Sequence, residues 1–261
     1  MNTIERIPGL IHARDISQIK EHAVPIRDVI GITFAGGYGT RMEQATRGLH
    51  SKTTLIVGSG ALMDSSLALF RNSGLQSLHV LTTEGVIDSQ RMYTKDNPLY
   101  QQAVYSAEPY EPRGIGPALT DFLHTNNPDR PIIVTNADEQ YDLIDLKAVY
   151  AEHTWLNHQL TGVLTNKPKG TETDKYTIDP KTKKIITKKK YVGNDQTDTY
   201  EGTGLWIIEP TQFPLIKSSL SWHDFLRHAI DLGDVYGHVV NTSVWNVNTP
   251  EDLISLRTKR Q

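Results

Sequence analysis

Apolar residues along this chain gather into short runs separated by polar stretches of helical period. Val29–Ala35, Leu78–Thr82, Pro131–Asn136 and Leu160–Thr165 read as buried strands, and Ala103–Ala107 as a weaker one. Runs of about four to eight apolar or β-branched residues, bounded by Gly, Pro, Asn or Asp, are too short for a buried helix. Between them lie helical patterns. Ala61–Asn72 is one, with Gly74 as its C-terminal stop. Pro117–His124 is another: Ile115, Ala118, Leu119, Phe122 and Leu123 share a face, and Pro117 suits a first turn. Ile144–His158 is a third, moderately amphipathic. This alternation predicts a parallel sheet with helices on both faces, with any active site at the carboxyl ends of the strands.

The second half has a different pattern. Tyr176–Ile178 and Lys184–Thr187 flank Asp179-Pro180-Lys181 and read as a hairpin carrying a lysine run, Lys181–Lys190. The polar stretch Gly193–Thr199 precedes a strand at Gly204–Ile208. Ser221–Leu232 is the strongest helical pattern, with Trp222, Phe225, Leu226, Ala229 and Ile230 on one side and Ser221 with Asp224 as a capping box. Residues 1–27 precede the first strand as an arm of unassigned role, one that can pack against a second copy in a homo-oligomer. Residues 28–261 read as a single domain, its first part (about 28–165) facing one ligand and its second (about 166–245) another.

Composition narrows the field. A net charge of −3 argues against a nucleic-acid partner. The absence of cysteine removes disulfides and thiolate chemistry. No stretch has signal-peptide or transmembrane character, so the reading is a cytoplasmic protein with no membrane partner. The histidines show no metal spacing: His153 and His158, like His223 and His228, are five apart and do not share a helix face, and they read as surface or partly buried residues.

The segment richest in chemistry is Phe34-Ala35-Gly36-Gly37-Tyr38-Gly39-Thr40-Arg41, followed by Lys52. A strand that ends in bare backbone presents a row of N–H groups to an anion, and two cations nearby can neutralise the same phosphate. It is not a P-loop, because no Gly-Lys-Ser or Gly-Lys-Thr follows. It is not a dinucleotide fingerprint either, because Gly37-x-Gly39 lacks the third glycine. Asp138 follows a buried strand and is either a turn residue or a ligand. Trp245-Asn246-Val247-Asn248-Thr249-Pro250-Glu251-Asp252-Leu253 leads into a helix starting at Thr249-Pro250.

These residues together resemble the sugar-1-phosphate nucleotidyltransferases, whose signature is Gly-Gly-x-Gly-Thr-Arg and then Pro-Lys, over about Val29 to Leu253. The resemblance implies a Rossmann-like α/β fold of the GT-A type: a mixed, mostly parallel sheet with helices on both faces and a smaller β-rich lid over the acceptor. It implies Arg41 and Lys52 as the catalytic cations, and nucleotide binding by the glycine segment from Phe34 to Thr40 with Glu108, Gly114 and Gly116. It places Mg²⁺ on Asp138 with Asn246 or Asn248, because the closing motif resembles Trp-x-Asp-Ile-Gly-Thr-Pro-Glu-Asp-Leu with asparagines in it. It places the acceptor against Asp138, Lys190 and Gly204. Ser51 stands where the family has proline, which changes loop stiffness more than chemistry. Gly202-Thr203-Gly204-Leu205-Trp206 stands where it has Asn-x-Gly-x-Tyr, and the Glu-Lys-Pro stretch is reduced to Lys188-Lys189-Lys190.

The activity implied is transfer of a nucleoside monophosphate from a nucleoside triphosphate to a sugar 1-phosphate or a cyclitol phosphate, with release of pyrophosphate. Tyr38 within the glycine motif resembles the mannose-1-phosphate guanylyltransferases, and a carboxylate at Glu108 can accept from the N1–H and N2–H₂ of guanine. Both features put GTP ahead of the other triphosphates. The Asn-x-Asn-Thr-Pro ending also resembles the molybdenum-cofactor guanylyltransferases. A third alternative is a non-catalytic subunit that binds nucleotide sugars and kept the fold.

Overall fold

The computed structural model describes residues 24–37, 39–46, 51–98, 100–108, 113–169, 174–189 and 199–259. The first strand, β1 (Ile30–Phe34), ends in the glycine segment. A short helical turn at 40–46 and another at 52–54 then lead to the small hairpin of β2 (Ile56–Val57) and β3 (Gly60–Ala61). There follow α1 (Asp64–Ser73), β4 (Ser77–Thr83), α2 (Glu84–Thr94), β5 (Ala103–Glu108), α3 (Ile115–Asn126), β6 (Ile132–Asn136), β7 (Glu139–Gln140) and α4 (Leu146–Trp155). The remainder is β8 (Leu160–Lys169), β9 (Lys175–Ile178), β10 (Ile185–Lys189), β11 (Tyr200–Ile208), α5 (Phe213–Ser218), α6 (Trp222–Asp231), β12 (Val235–Asn246) and α7 (Pro250–Lys259).

The main sheet runs β5-β4-β1-β6-β11-β8-β12-β7, with β9 and β10 branching from β11. Its first half is parallel: β1 pairs in parallel with β4 and β6, and β4 with β5. Strand β11 enters antiparallel between β6 and β8, and β12 is again parallel to β8. The sheet is therefore mixed. Parallel neighbours need a crossover: helices lie between β1 and β6, and α5 and α6 lie between β8 and its parallel neighbour β12.

Alternation along each strand divides the core in two. On one face Ile133, Val80 and Leu205 pack against Leu67 and Phe70 of α1 and Val149 of α4. On the other face Ile32, Val134 and Trp206 pack against Leu119 and Leu123 of α3 and Phe225 and Leu226 of α6. A third cluster joins Met42, just beyond the glycine segment, to Val57, Leu62, Val247 and Leu253 and Leu256 of α7.

Several elements depart from the pattern reading. Helix α1 starts at Asp64 rather than Ala61, because Ala61 belongs to β3 and its N–H donates to Asp64 Oδ2 at 2.8 Å. Helix α4 is bounded by Asp145, whose side chain accepts from Ala148 N, and spans Leu146–Trp155 rather than 144–158. Helix α6 begins at Trp222 because Ser221 is its cap, accepting from Asp224 N at 3.1 Å. Helix α2 and the long strand β12 have no clear apolar period: Gln90 and Thr94 interrupt the buried stripe of α2, and polar residues recur through β12. His153 and His158 are buried rather than superficial. Both imidazoles reach the Thr161 hydroxyl through Nδ1, at 2.8 and 3.3 Å, and His158 stacks on Tyr236. The stretch 193–198, Tyr38 and Lys190 lie outside the described residues.

Candidate active site

The carboxyl ends of β4, β1 and β6 meet at one edge of the sheet. Phe34 and Asn136 are register partners there, Ala137 N donates to Phe34 O at 3.0 Å, and Ala35 N donates to Leu81 O at 2.7 Å. These bonds carry the glycine segment and Asp138 out of the sheet side by side. Between them opens a cleft of about 860 Å³. A Cβ on Gly37 would meet no atom of the described residues within 4 Å apart from its chain neighbours, and its bare backbone lines the cleft. Gly39 differs. Its φ of +62° is left-handed, and a Cβ on it would lie 2.7 Å from Lys52 Cβ. Glycine at this position brings the turn directly against the lysine.

Lys52 sits in a helical turn whose preceding residue is preset. Ser51 has φ −60° and ψ 138°, within proline's range, and its side chain accepts from Thr53 N. The hydroxyl at this position thus does by hydrogen bonding what a ring would do covalently. From there the Lys52 side chain, 11% exposed, crosses the cleft floor. Its Nζ donates to Asp138 Oδ2 at 2.6 Å and to Asn248 Oδ1 at 3.2 Å. Asn248 Nδ2 in turn donates to Asn246 Oδ1 at 2.9 Å.

Both asparagines are brought in by the chain's last elements. Asn246 pairs with Glu139 across β12 and β7, and Val247 N donates to Asp138 O at 3.0 Å. A reciprocal capping box opens α7: Asp252 N donates to Thr249 Oγ1 at 3.2 Å, while Asp252 Oδ2 accepts from Thr249 N at 2.9 Å and from Asn248 N at 3.0 Å. That box fixes Asn248 beside Asp138. Carboxylate and amide oxygens around an ammonium form the donor set that a hard divalent cation takes. Among the described residues no group of three or more His, Asp and Glu is placed to hold a metal, so such a cation would rest on one carboxylate and two amides.

Beneath this set Glu139 is buried. Its carboxyl accepts from Asn136 Nδ2 at 3.0 Å and from the Tyr141 hydroxyl at 3.4 Å. Burial first, and the neighbouring charge of Asp138 second, push it up to about 8. Gly204, left-handed at φ +65°, passes directly over the pair: a Cβ would lie 2.4 Å from Asn136 Nδ2 and 2.6 Å from Glu139 Oε1.

The cleft widens in two directions. Towards β5 and α3 it is lined by Glu108, Gly114 and Gly116, with Glu108 Oε2 accepting from Arg113 Nε at 3.2 Å. Towards β9 and α6 it is lined by Asp174, Tyr176, Trp206, Trp222 and His223. The aromatic rings meet edge on, and Lys188 Nζ lies 2.9 Å from Asp174 Oδ2 and within hydrogen-bond reach of His223 Nδ1. In the described part of the lysine run, Lys188 is the cation that approaches this end. Its own pKa is lowered, chiefly by burial.

Phe34, Ala35, Gly36, Gly37, Gly39, Thr40, Arg41, Lys52, Glu108, Gly114, Gly116, Asp138, Gly204, Asn246 and Asn248 all line this one cleft. Sequence reasoning did not assign Thr53, Glu139, Asp174, Trp222 or His223 to the site: it read Trp222 as a core-facing helix residue and His223 as a surface or partly buried histidine. Each belongs to an otherwise ordinary strand, turn, loop or helix, and no local spacing marks it. Among the described residues no helix is long and apolar enough to cross a membrane.

Residues 30–184 match the family model described as nucleotidyl transferase. Two solved structures share the fold. One, from Bacillus anthracis, is described as a candidate glucose-1-phosphate thymidylyltransferase in complex with a sucrose; it aligns with a TM-score of 0.76 and 16% identity over 89% of this chain and 95% of that one. The other is the inositol-1-phosphate CTP transferase from T. maritima, with a TM-score of 0.72 and 15% identity over 90% of this chain and 96% of that one. No curated protein matches the chain in sequence.

Proposed function

The chain belongs to the nucleotidyl transferase family, and from that premise we propose that it joins a nucleoside monophosphate to a phosphorylated sugar or cyclitol. In this reading a phosphate oxygen of the acceptor attacks the α-phosphorus of a nucleoside triphosphate. The new O–Pα bond forms as the Pα–O bond to the β-phosphate breaks, and pyrophosphate leaves with that electron pair. A phosphate nucleophile is already ionised at neutral pH, so no general base is needed. The work is placement and charge neutralisation.

One observation carries the reading: the bare backbone of Gly37, the Lys52 ammonium and the Asp138 carboxylate converge in one cleft although they come from three separate parts of the sequence. The backbone N–H groups of Gly36, Gly37 and Gly39 bind the triphosphate. Arg41, on the lip of the cleft, holds the departing pyrophosphate. Lys52 stabilises the charge that builds on the α-phosphate. Asp138, with Asn246 and Asn248, would hold a divalent cation, Mg²⁺ in this reading, whose charge would offset that of the phosphates.

The acceptor occupies the end lined by Asp174, Tyr176, Trp206 and Trp222. The half-buried Trp222 ring, with Tyr176 and Trp206 buried behind it, and a carboxylate that accepts from hydroxyl groups suit a cyclic polyol. The glucose 1-phosphate and inositol 1-phosphate in the descriptions of the two solved structures are of that class. At the other end Glu108 offers carboxylate oxygens to the N1–H and N2–H₂ of guanine, which supports GTP as the donor.

The test is a pyrophosphate-release screen that crosses the four nucleoside triphosphates with sugar phosphates, cyclitol phosphates and molybdopterin. Release with a sugar or cyclitol phosphate is expected. Release with molybdopterin alone would move the acceptor to a cofactor, and nucleotide binding without release from any pair would leave a non-catalytic binding protein. With the productive pair, Lys52→Ala is expected to lower kcat by on the order of a hundredfold or more.

A further inference from the structure

Gln90, at the middle of α2, has no solvent exposure. It occupies a position in the buried stripe Val86-Ile87-Gln90-Thr94, where an aliphatic side chain would fill the space without desolvating an amide. Its two hydrogen bonds leave α2 for the two segments that line the triphosphate end of the cleft. Gln90 Nε2 donates to Ala35 O, the carbonyl just before the glycine pair, at 2.9 Å. It also donates to Thr53 Oγ1, on the residue after Lys52, at 3.0 Å.

The second bond leads into a pair of hydroxyls. Thr53 Oγ1 accepts from Gln90 and shares a hydrogen bond with Ser51 Oγ, 2.8 Å away. Ser51 Oγ accepts also from Thr53 N. The residues on both sides of Lys52 are thereby held in one network that begins on the glycine segment. The amide oxygen of Gln90 is buried without a hydrogen-bond partner among the described residues. A buried acceptor left unpaired works against stability. Both bonds that offset this cost tie the two cleft segments to each other.

We propose that Gln90 is a positioning residue that sets the distance between the backbone donors of the glycine segment and the Lys52 ammonium. It thus holds the β- and γ-phosphate site in register with the α-phosphate. This rests on the phosphate-binding reading of those two segments. A displaced lysine would still let the nucleotide bind but would miss the transition state, because small misplacements of a charge cost turnover more than binding.

Three variants test it in steady-state kinetics with the donor and acceptor found productive for the wild type. Gln90→Met keeps the length and removes both donors. Its kcat is expected to fall at least tenfold while KM for the acceptor moves less than twofold, in protein that is still fully folded at the assay temperature. Thr53→Val removes the hydroxyl between Gln90 and Ser51 and is expected to show the same split, and the double variant should lose no more than the worse single one. Gln90→Glu loses a donor when ionised and regains one when protonated, so its kcat relative to wild type should rise as pH is lowered from 9 to 6. Wild-type kcat in Gln90→Met, additive losses in the double variant, or a Gln90→Glu ratio that is flat with pH would each overturn the proposal. A wild type that releases no pyrophosphate with any pair would instead overturn the nucleotidyl-transfer reading on which it rests.

Discussion

Single side chains in this protein are set by neighbours far away in sequence. Lys52 is defined by Asp138 and Asn248, and Gly204 by the Asn136–Glu139 pair beneath it. The buried imidazoles give a further case with a measurable consequence. Burial, and then the charges His153 and His238 can carry, push His158 down to about 4 from the ordinary 6.5. Between those values the unfolded chain binds a proton that the folded one excludes, so stability falls as pH drops from about 6.5 to about 4. His158→Phe keeps a ring against Tyr236 and removes the titration. We expect it to be less stable than wild type at pH 7.5, where Thr161 loses a partner, but to lose less stability on acidification to pH 5. Denaturant unfolding at a series of pH values measures both.

Elements are legible in proportion to their local signals. β1, β6 and α6 follow from apolar period, bounding Gly and Pro residues, and the Ser221 cap. α2 does not, because Gln90 and Thr94 stand where the helical period asks for apolar residues; Gln90 bonds to Ala35 and Thr53 outside the helix, and Thr94 back to Arg91 O within it. β12 does not, because its neighbours on the sheet, not its own alternation, hold it. Helix α7 is the instructive case: Thr249-Pro250-Glu251-Asp252 announces a helix start, yet the same box also restrains Asn248. Asp252→Ala is expected to lower stability by about 1 kcal/mol, the usual worth of a cap. It should also weaken Mn²⁺ binding in the presence of nucleotide, by freeing Asn248. Thermal unfolding and Mn²⁺ titration followed by electron paramagnetic resonance check the two effects separately.

At the scale of the whole molecule, the third apolar cluster joins the chain's beginning to its end. Met42 follows Arg41, and it packs with Val247, Leu253 and Leu256. The glycine segment and the closing asparagines thus share one small core. Leu253→Ala, at a position 2% exposed, is expected to lower the unfolding midpoint by on the order of 10 °C. It should also raise KM for the nucleotide, because the turn that carries Arg41 loses its support; differential scanning calorimetry and steady-state kinetics report the two. Much of the fold and part of the cleft lining were readable from the chain alone. Periodicity is a local property, and so is the need for bare backbone where a polyanion approaches, which is why β1, the glycine segment and the Thr249-Pro250 helix start stand out in the linear pattern. Which asparagine meets Lys52, that Gln90 ties Ala35 to Thr53, that β11 enters antiparallel, and that Lys188 meets Asp174 at the cleft were decided only by tertiary structure. Those facts are distances between residues far apart along the chain, and no short-range pattern of residue types encodes a distance of that kind.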